Sequence, residues 1–228
     1  RRSLNGVGDP DQADRARCEW TVFAPRNLSS MAGPLPLTFL RSYADTGALP
    51  FTRAEIALVG RSNVGKSSLI NALANHKRLA KTSKTPGATR LLNAFEMAPA
   101  DSGLWLMDLP GYGFAKVSKA ERAKWANLLT RYIEERESLV GVLQLIDGAI
   151  GPTALDLQTL EWLRSLGRPI TFVATKLDKV RPSKSKKRRN EVVEALGVAR
   201  SEILWVSAEK GTGIPELRAR IVHLLDEG

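Results

Sequence analysis

The chain has 228 residues, 43% of them hydrophobic and 25% charged, with 34 basic against 24 acidic side chains and a formal net charge of +10. That length and composition suit one sizeable folded domain plus a tail. They hold no stretch near the ~18–20 uncharged apolar residues of a membrane span, no apolar run behind the basic N-terminus for a secretory signal, and a single cysteine, Cys18, which excludes an internal disulfide or a cysteine-built zinc site.

In chain order, residues 1–18 read as a mobile arm and 19–50 as a partly ordered lead-in. Asp9-Pro10-Asp11, Pro25, Gly33-Pro34-Leu35-Pro36 and Pro50 break regular elements there, leaving a short strand at Trp20–Phe23 and a helix turn near Leu37–Tyr43. Residues 51–228 form the regular domain. Predicted strands are Ile56–Val59, Leu91–Met97, Leu104–Met107, Val140–Ile146, Ile170–Ala174 and Ile203–Val206. Predicted helices are Ser67–Ala74, Lys119–Glu135, Ala154–Leu166, Lys186–Leu196 and Ile214–Asp226. Fully apolar strands alternating with helices predict an α/β fold: a mainly parallel six-stranded sheet with helices on both faces.

The segment Gly60-Arg61-Ser62-Asn63-Val64-Gly65-Lys66-Ser67 is G-x-x-x-x-G-K-S, between a predicted strand and a predicted helix. Glycines let backbone N–H groups turn inward around a phosphate chain, and the following helix points its positive end there. Lys66 would reach the β/γ-phosphates and the Ser67 hydroxyl would ligate Mg²⁺, which makes this a P-loop NTPase motif. Asp108-Leu109-Pro110-Gly111 follows a strand as D-x-x-G, with Asp108 reaching Mg²⁺ through water and the Gly111 N–H sensing the γ-phosphate. Thr175-Lys176-Leu177-Asp178 ends another strand, where open α/β sheets place ligand contacts. A carboxylate at Asp178 accepts guanine N1–H and N2–H₂ together, a donor pair that adenine lacks, and the Lys176 stem lies along the base. Ser207-Ala208, after the strand Ile203–Val206, resembles the last GTPase element, whose backbone contacts the guanine edge. Between the first helix and the second strand, KTSKTPGAT (Lys81–Thr89) must supply a threonine to Mg²⁺; Thr82, Thr85 and Thr89 all qualify.

GRSNVGKSSLIN, KTSKTPGAT, DLPGYGFAKVSK, TKLDK and the Ser207-Ala208 turn, in this order, resemble the EngB (YihA/YsxC) type GTP-binding proteins, within the Era-like translational GTPases. The resemblance runs from about Leu49 to the C-terminus. It implies a GTPase with Mg²⁺ ligands at Ser67 and Thr89. Its nucleotide shell covers Gly60–Ser67, Gly87, Ala88, Thr89, Arg90 and Leu91, Asp108–Gly111, Thr175, Lys176, Leu177 and Asp178, and Val206–Ala208. Lys66, Thr89 and Gly111 are the groups it implies for hydrolysis. It also implies a cytoplasmic role in assembling the large ribosomal subunit or its precursor, with a link to division-septum formation. The family reads TPGRTQ where this chain has Thr85-Pro86-Gly87-Ala88-Thr89-Arg90, so the arginine is displaced by two positions.

Tyr112 stands where signalling GTPases carry a water-orienting glutamine, so unaided hydrolysis should be slow. Asn63 has two readings, a K⁺ ligand beside the phosphates or a turn-stabilising amide. Lys184, Lys186, Lys187, Arg188 and Arg189 read either as a track for an rRNA backbone or as a solvated loop. Trp125 and Tyr132 read as core, His76 and His223 as surface, and Glu134–Glu137 as a solvated helix end. The chain is expected to act as a monomer. A nucleotide-binding scaffold at the division site with little turnover is the alternative from another class; a P-loop kinase or ATPase is opposed by Thr175–Asp178.

Overall fold

A computed structural model describes residues 33–81, 91–113 and 119–227, the side chains of 119–122 and 125 excepted. One seven-stranded sheet forms the centre, in the order β1-β3-β4-β2-β5-β6-β7. Its strands are β1 Leu37–Tyr43, β2 Ala54–Gly60, β3 Leu92–Met97, β4 Leu104–Asp108, β5 Leu139–Asp147, β6 Ile170–Thr175 and β7 Ile203–Trp205. Strands β4, β2, β5, β6 and β7 are parallel neighbours, while β3 runs antiparallel to both β1 and β4. Five helices cover the sheet: α1 Lys66–Ala74, α2 Lys119–Glu135, α3 Ala154–Ser165, α4 Pro182–Leu196 and α5 Ile214–Glu227.

Strand β2 is buried along its whole length, and its side chains alternate between the two faces. Ile56 and Leu58 face α1 and α5 and pack with Leu69, Ile70, Leu73, Leu217 and Ile221. Ala57 and Val59 face the other side, with Tyr132, Ile133 and Leu163 from α2 and α3. From β2 the chain passes through α1 to β3 and β4 on one side of it, and then crosses back from β4 through α2 to β5 on its other side. The carboxyl ends of β2 and β5 therefore open a crevice, where ligands bind in such sheets.

Three expectations are corrected. Leu37–Tyr43 is a strand and not a helix turn, so the sheet has seven strands and not six. It pairs antiparallel with β3 along the sheet edge, from Leu37 opposite Met97 to Tyr43 opposite Leu92, which supplies the backbone partners a lone helical turn would lack. Helix α4 begins at Pro182. Proline fits the first helical position, where no N–H is needed, and SKSKKRRN is helical and not a loop. At the end of α2, Glu134, Glu135 and Glu137 are exposed as expected, but Arg136 turns inward and pairs with the fully buried Glu55 at 2.5 Å. Tyr132 is core, and His76 and His223 are exposed, as read from the sequence. The expected strand at Trp20–Phe23 lies outside the described residues.

Candidate functional site

The P-loop leaves β2 at Gly60 and enters α1 at Lys66. Gly65, which caps α1, has φ +109, a left-handed conformation open to glycine. Thr175 at the end of β6 braces this loop: its hydroxyl oxygen lies 2.6 Å from the Val64 carbonyl oxygen and 3.1 Å from that of Ile146. Lys66 is buried, and Asp108 at the end of β4 is buried beside it. Burial pushes the Lys66 ammonium below its ordinary pKa, against the pull of Asp108. Burial likewise raises the Asp108 carboxyl, against the Lys66 charge and the Asn93 amide. Two desolvated charges of opposite sign thus line the crevice floor.

Asp108 Oδ1 is buried and has no hydrogen-bond partner among the described residues. An orphaned carboxylate oxygen next to Lys66, the residue that precedes Ser67 in the first turn of α1, suits a hard divalent cation with its waters. Ser67 and Asp108 fit Mg²⁺. Gly111 seals the same floor: a Cβ there would lie 2.9 Å from both Lys66 Nζ and Ser62 N, so only glycine allows the approach.

The other side of the crevice is built by the loops after β6 and β7. Ser207 Oγ donates to Asp178 Oδ1 at 2.7 Å and accepts Lys210 N–H at 3.0 Å. Lys179 Nζ lies 3.4 Å from Asp178 Oδ2. Burial pushes the Asp178 carboxyl up, but the Ser207 donor, its own backbone N–H and Lys179 outweigh it and hold the group below its ordinary value. Asp178 is therefore a fixed anion with acceptor capacity left over. Leu177 N–H donates to the Val206 carbonyl at 3.0 Å and Val206 N–H to that of Ala174 at 2.8 Å, which ties the two loops into one wall. Lys176 lies across the gap: its ammonium donates to Asn63 O and to Asp147 Oδ2, each at 2.7 Å.

A family model described as 50S ribosome-binding GTPase matches residues 55–176. The probable GTP-binding protein EngB of Pelotomaculum thermopropionicum is 45% identical over 182 residues, which cover 78% of this chain and 90% of that protein. The chain belongs to the EngB family of GTP-binding proteins. The crystal structure of a probable EngB superposes with TM-score 0.62 at 28% identity, covering 77% of this chain and all of that one. Era, solved with MgGDPNP and nucleotides 1506–1542 of 16S ribosomal RNA, superposes with TM-score 0.59 at 26% identity, covering 76% of this chain and 57% of that one.

The structure brings Gly60–Ser67, Asp108–Gly111, Thr175–Asp178 and Val206–Ser207 of the expected EngB-type shell to one crevice. Ala208 follows Ser207 in the same turn, and Leu91 is exposed at the root of β3. Gly87, Ala88, Thr89 and Arg90, with Thr82 and Thr85, lie outside the described residues. Asn63 has φ +63, a conformation that asparagine tolerates better than most residues. Asp147 was missed. It closes β5, six residues before the Thr153 cap of α3, and anchors Lys176; its signal was a lone acid ending an apolar strand beside a ligand-bearing one. Asp156 was missed too, because its partners Arg61 and Tyr112 are remote in sequence. The basic cluster divides: Lys184, Lys186 and Lys187 are exposed, Arg188 binds Glu191 and the Ile150 carbonyl, and Arg189 covers the Trp205 ring at 4.8 Å.

Proposed function

We propose that the chain is a slow GTPase switch acting in the cytosol on the large ribosomal subunit or its precursor. The observation that carries nucleotide choice is the Asp178 carboxylate, kept ionised by Ser207 and Lys179 beside the Lys176 stem. On the phosphate side, Lys66 and the P-loop N–H groups would bind the β/γ-phosphates, and Gly111 N–H the γ-phosphate. Ser67 and Thr89 would hold Mg²⁺, with Asp108 reaching it through water; the ion supplies charge for the phosphate oxygens when bound. Tyr112 offers no water-orienting amide, and its phenol is engaged by Asp156, which fits slow unaided turnover. Asn63 is the candidate K⁺ ligand, a cation that would add charge where an arginine finger otherwise acts. Residues 51–228 are taken as the nucleotide domain, with β1 of the preceding lead-in completing its sheet edge and an arm before that.

For the ribosomal partner, support comes from the family description and from Lys184, Lys186 and Lys187, exposed on α4 just past the guanine-side loop. The first turn of α4 carries no acidic residue, so lysines and helix dipole together favour a polyanion. The test is cosedimentation of the GTP- and GDP-loaded protein with separated ribosomal subunits across a salt series. Neutralising the three lysines should reduce the slope of log K against log salt by about 0.7–0.9 for each phosphate they neutralise. No association of the wild type in either state removes the ribosome; an unchanged slope removes this helix. Association without turnover would favour the scaffold reading.

A further inference from the structure

Tyr112 is held through both its backbone and its side chain. Its N–H donates to the Gly60 carbonyl at 3.3 Å and its own carbonyl accepts Ser62 N–H at 2.9 Å. The chain after β4 therefore lies on the P-loop as a short parallel bridge between Arg61 and Tyr112. The phenol leaves that line and donates to Asp156 Oδ1 at 2.8 Å. Asp156 has no exposed surface. Its carboxylate also accepts Thr153 N–H at 2.8 Å and the Thr153 hydroxyl at 2.7 Å, and Arg61 Nε lies 3.5 Å from it. Gln144 of β5 donates to the Asp156 carbonyl at 3.0 Å. One buried side chain thus joins the P-loop, the D-x-x-G segment and the first turn of α3. Burial, with the Asp156 charge beside it, pushes the phenol far above its ordinary pKa, so it remains a donor.

Gly111, next to Tyr112, is buried and so close to the P-loop that a Cβ would meet Lys66 Nζ at 2.9 Å. Where Tyr112 is fixed therefore decides where the Gly111 N–H stands relative to a phosphate held by Lys66. We propose that the Tyr112–Asp156 hydrogen bond positions Gly111 for the γ-phosphate and so sets how strongly GTP is preferred over GDP. The inference rests on the nucleotide-site reading above. Both are positioning residues: they act through Gly111. GDP has no group that reaches Gly111, so the loss of this bond falls on the triphosphate alone.

The test is calorimetric titration of the full chain with Mg²⁺ and either GDP or a non-hydrolysable GTP analogue, for wild type, Tyr112→Phe, Asp156→Asn and the double variant. Removing a hydrogen bond to a charged group should weaken the analogue about tenfold and leave GDP within about twofold. The double variant should be no weaker than either single one, because all three break the same bond. Asp156→Asn also disturbs the α3 capping box and costs stability. Tyr112→Phe leaves that box intact and carries the test alone if the other variants fail to fold. Equal weakening of both nucleotides, or an unchanged ratio in a folded Tyr112→Phe, overturns the proposal. A wild type that binds neither nucleotide overturns the underlying site reading instead.

Discussion

Replacing Asp178 by Asn isolates the proposed base selector with almost no change of shape. Ser207 Oγ accepts Lys210 N–H, so its proton is committed to Asp178 Oδ1, at 2.7 Å. In the variant, the amide carbonyl keeps the Oδ1 place and the NH₂ group takes the Oδ2 place. A donor then stands where guanine brings its own donors, N1–H and N2–H₂. Each hydrogen bond to a charged group contributes about 1.5–3 kcal/mol. Losing two and retaining a weak neutral one should cost about 3–4 kcal/mol, a factor of several hundred in affinity at ~1.4 kcal/mol per tenfold. Xanthine carries a 2-oxo acceptor in place of the amino group, so xanthosine diphosphate should lose far less and overtake GDP. Competition of GDP, XDP and ADP against a fluorescent nucleotide measures this. GDP affinity reduced less than about tenfold, or wild type that binds ADP as well as GDP, would refute the role of Asp178 and with it the geometry argued for the base wall.

Ser67→Ala should weaken GDP and GTP alike in the presence of Mg²⁺, whereas Thr89→Ala should weaken GTP mainly; equal effects of Thr89→Ala in nucleotide titrations would remove Thr89 as the switch threonine. Arg136→Met strips the guanidinium from Glu55, which has 0% exposure. It should lower stability to urea by about 3 kcal/mol, because a buried carboxylate loses its charge partner. The advantage of wild type over Asp178→Asn in GDP affinity should not change with pH from neutrality down into the ordinary carboxylate range. The Asp178 carboxyl is held below its usual value, so its ionised form is lost only as pH falls through that depressed value. Because the terminal phosphate of GDP itself titrates at about pH 6, the reading is the ratio of wild-type to Asp178→Asn affinity, and a ratio that shrinks from about pH 6 downward would contradict it. GTP turnover should be faster in K⁺ than in Na⁺ if Asn63 holds the ion, and single-turnover rates in the two salts decide it.

The phosphate side was legible because its chemistry is written in contiguous residues. Gly60 to Ser67 carry their own spacing, and the flanking elements follow from apolar runs such as AEIALVG in β2. Asp178 was legible for the same reason, at the end of a strand buried almost throughout. What escaped was set by partners far along the chain. Strand β1 exposes its five central residues, so no alternation marks it, and its pairing with β3 comes only with the fold. Arg136 meets Glu55 across 81 positions, and Tyr112 meets Asp156 across 44. In EERE at the end of α2 nothing distinguishes the one arginine that turns inward. The start of α4 was obscured by composition: a lysine-rich run looks solvated whether or not it is helical, and only Pro182 hinted at a first turn.

Helix α2 is secured at one end by bonds of unusual density. Arg168 donates to the carbonyls of Ile133, Glu134, Arg136 and Leu139, just where the helix stops, and Arg136 reaches the Pro50 carbonyl and Glu55. Its other end, at Lys119, follows the D-x-x-G segment. At 17 residues and ~1.5 Å per residue, the helix is a rod of about 25 Å. A rod bolted at its far end cannot slide when its near end is pushed; it can only swing. A rotation of about 10° about the Arg168 clasp would carry the near end some 4 Å while the clasp itself barely moved. In any such rotation the far end of α2 would be the fulcrum, and the arc at Lys119 the displacement that a neighbouring molecule would feel.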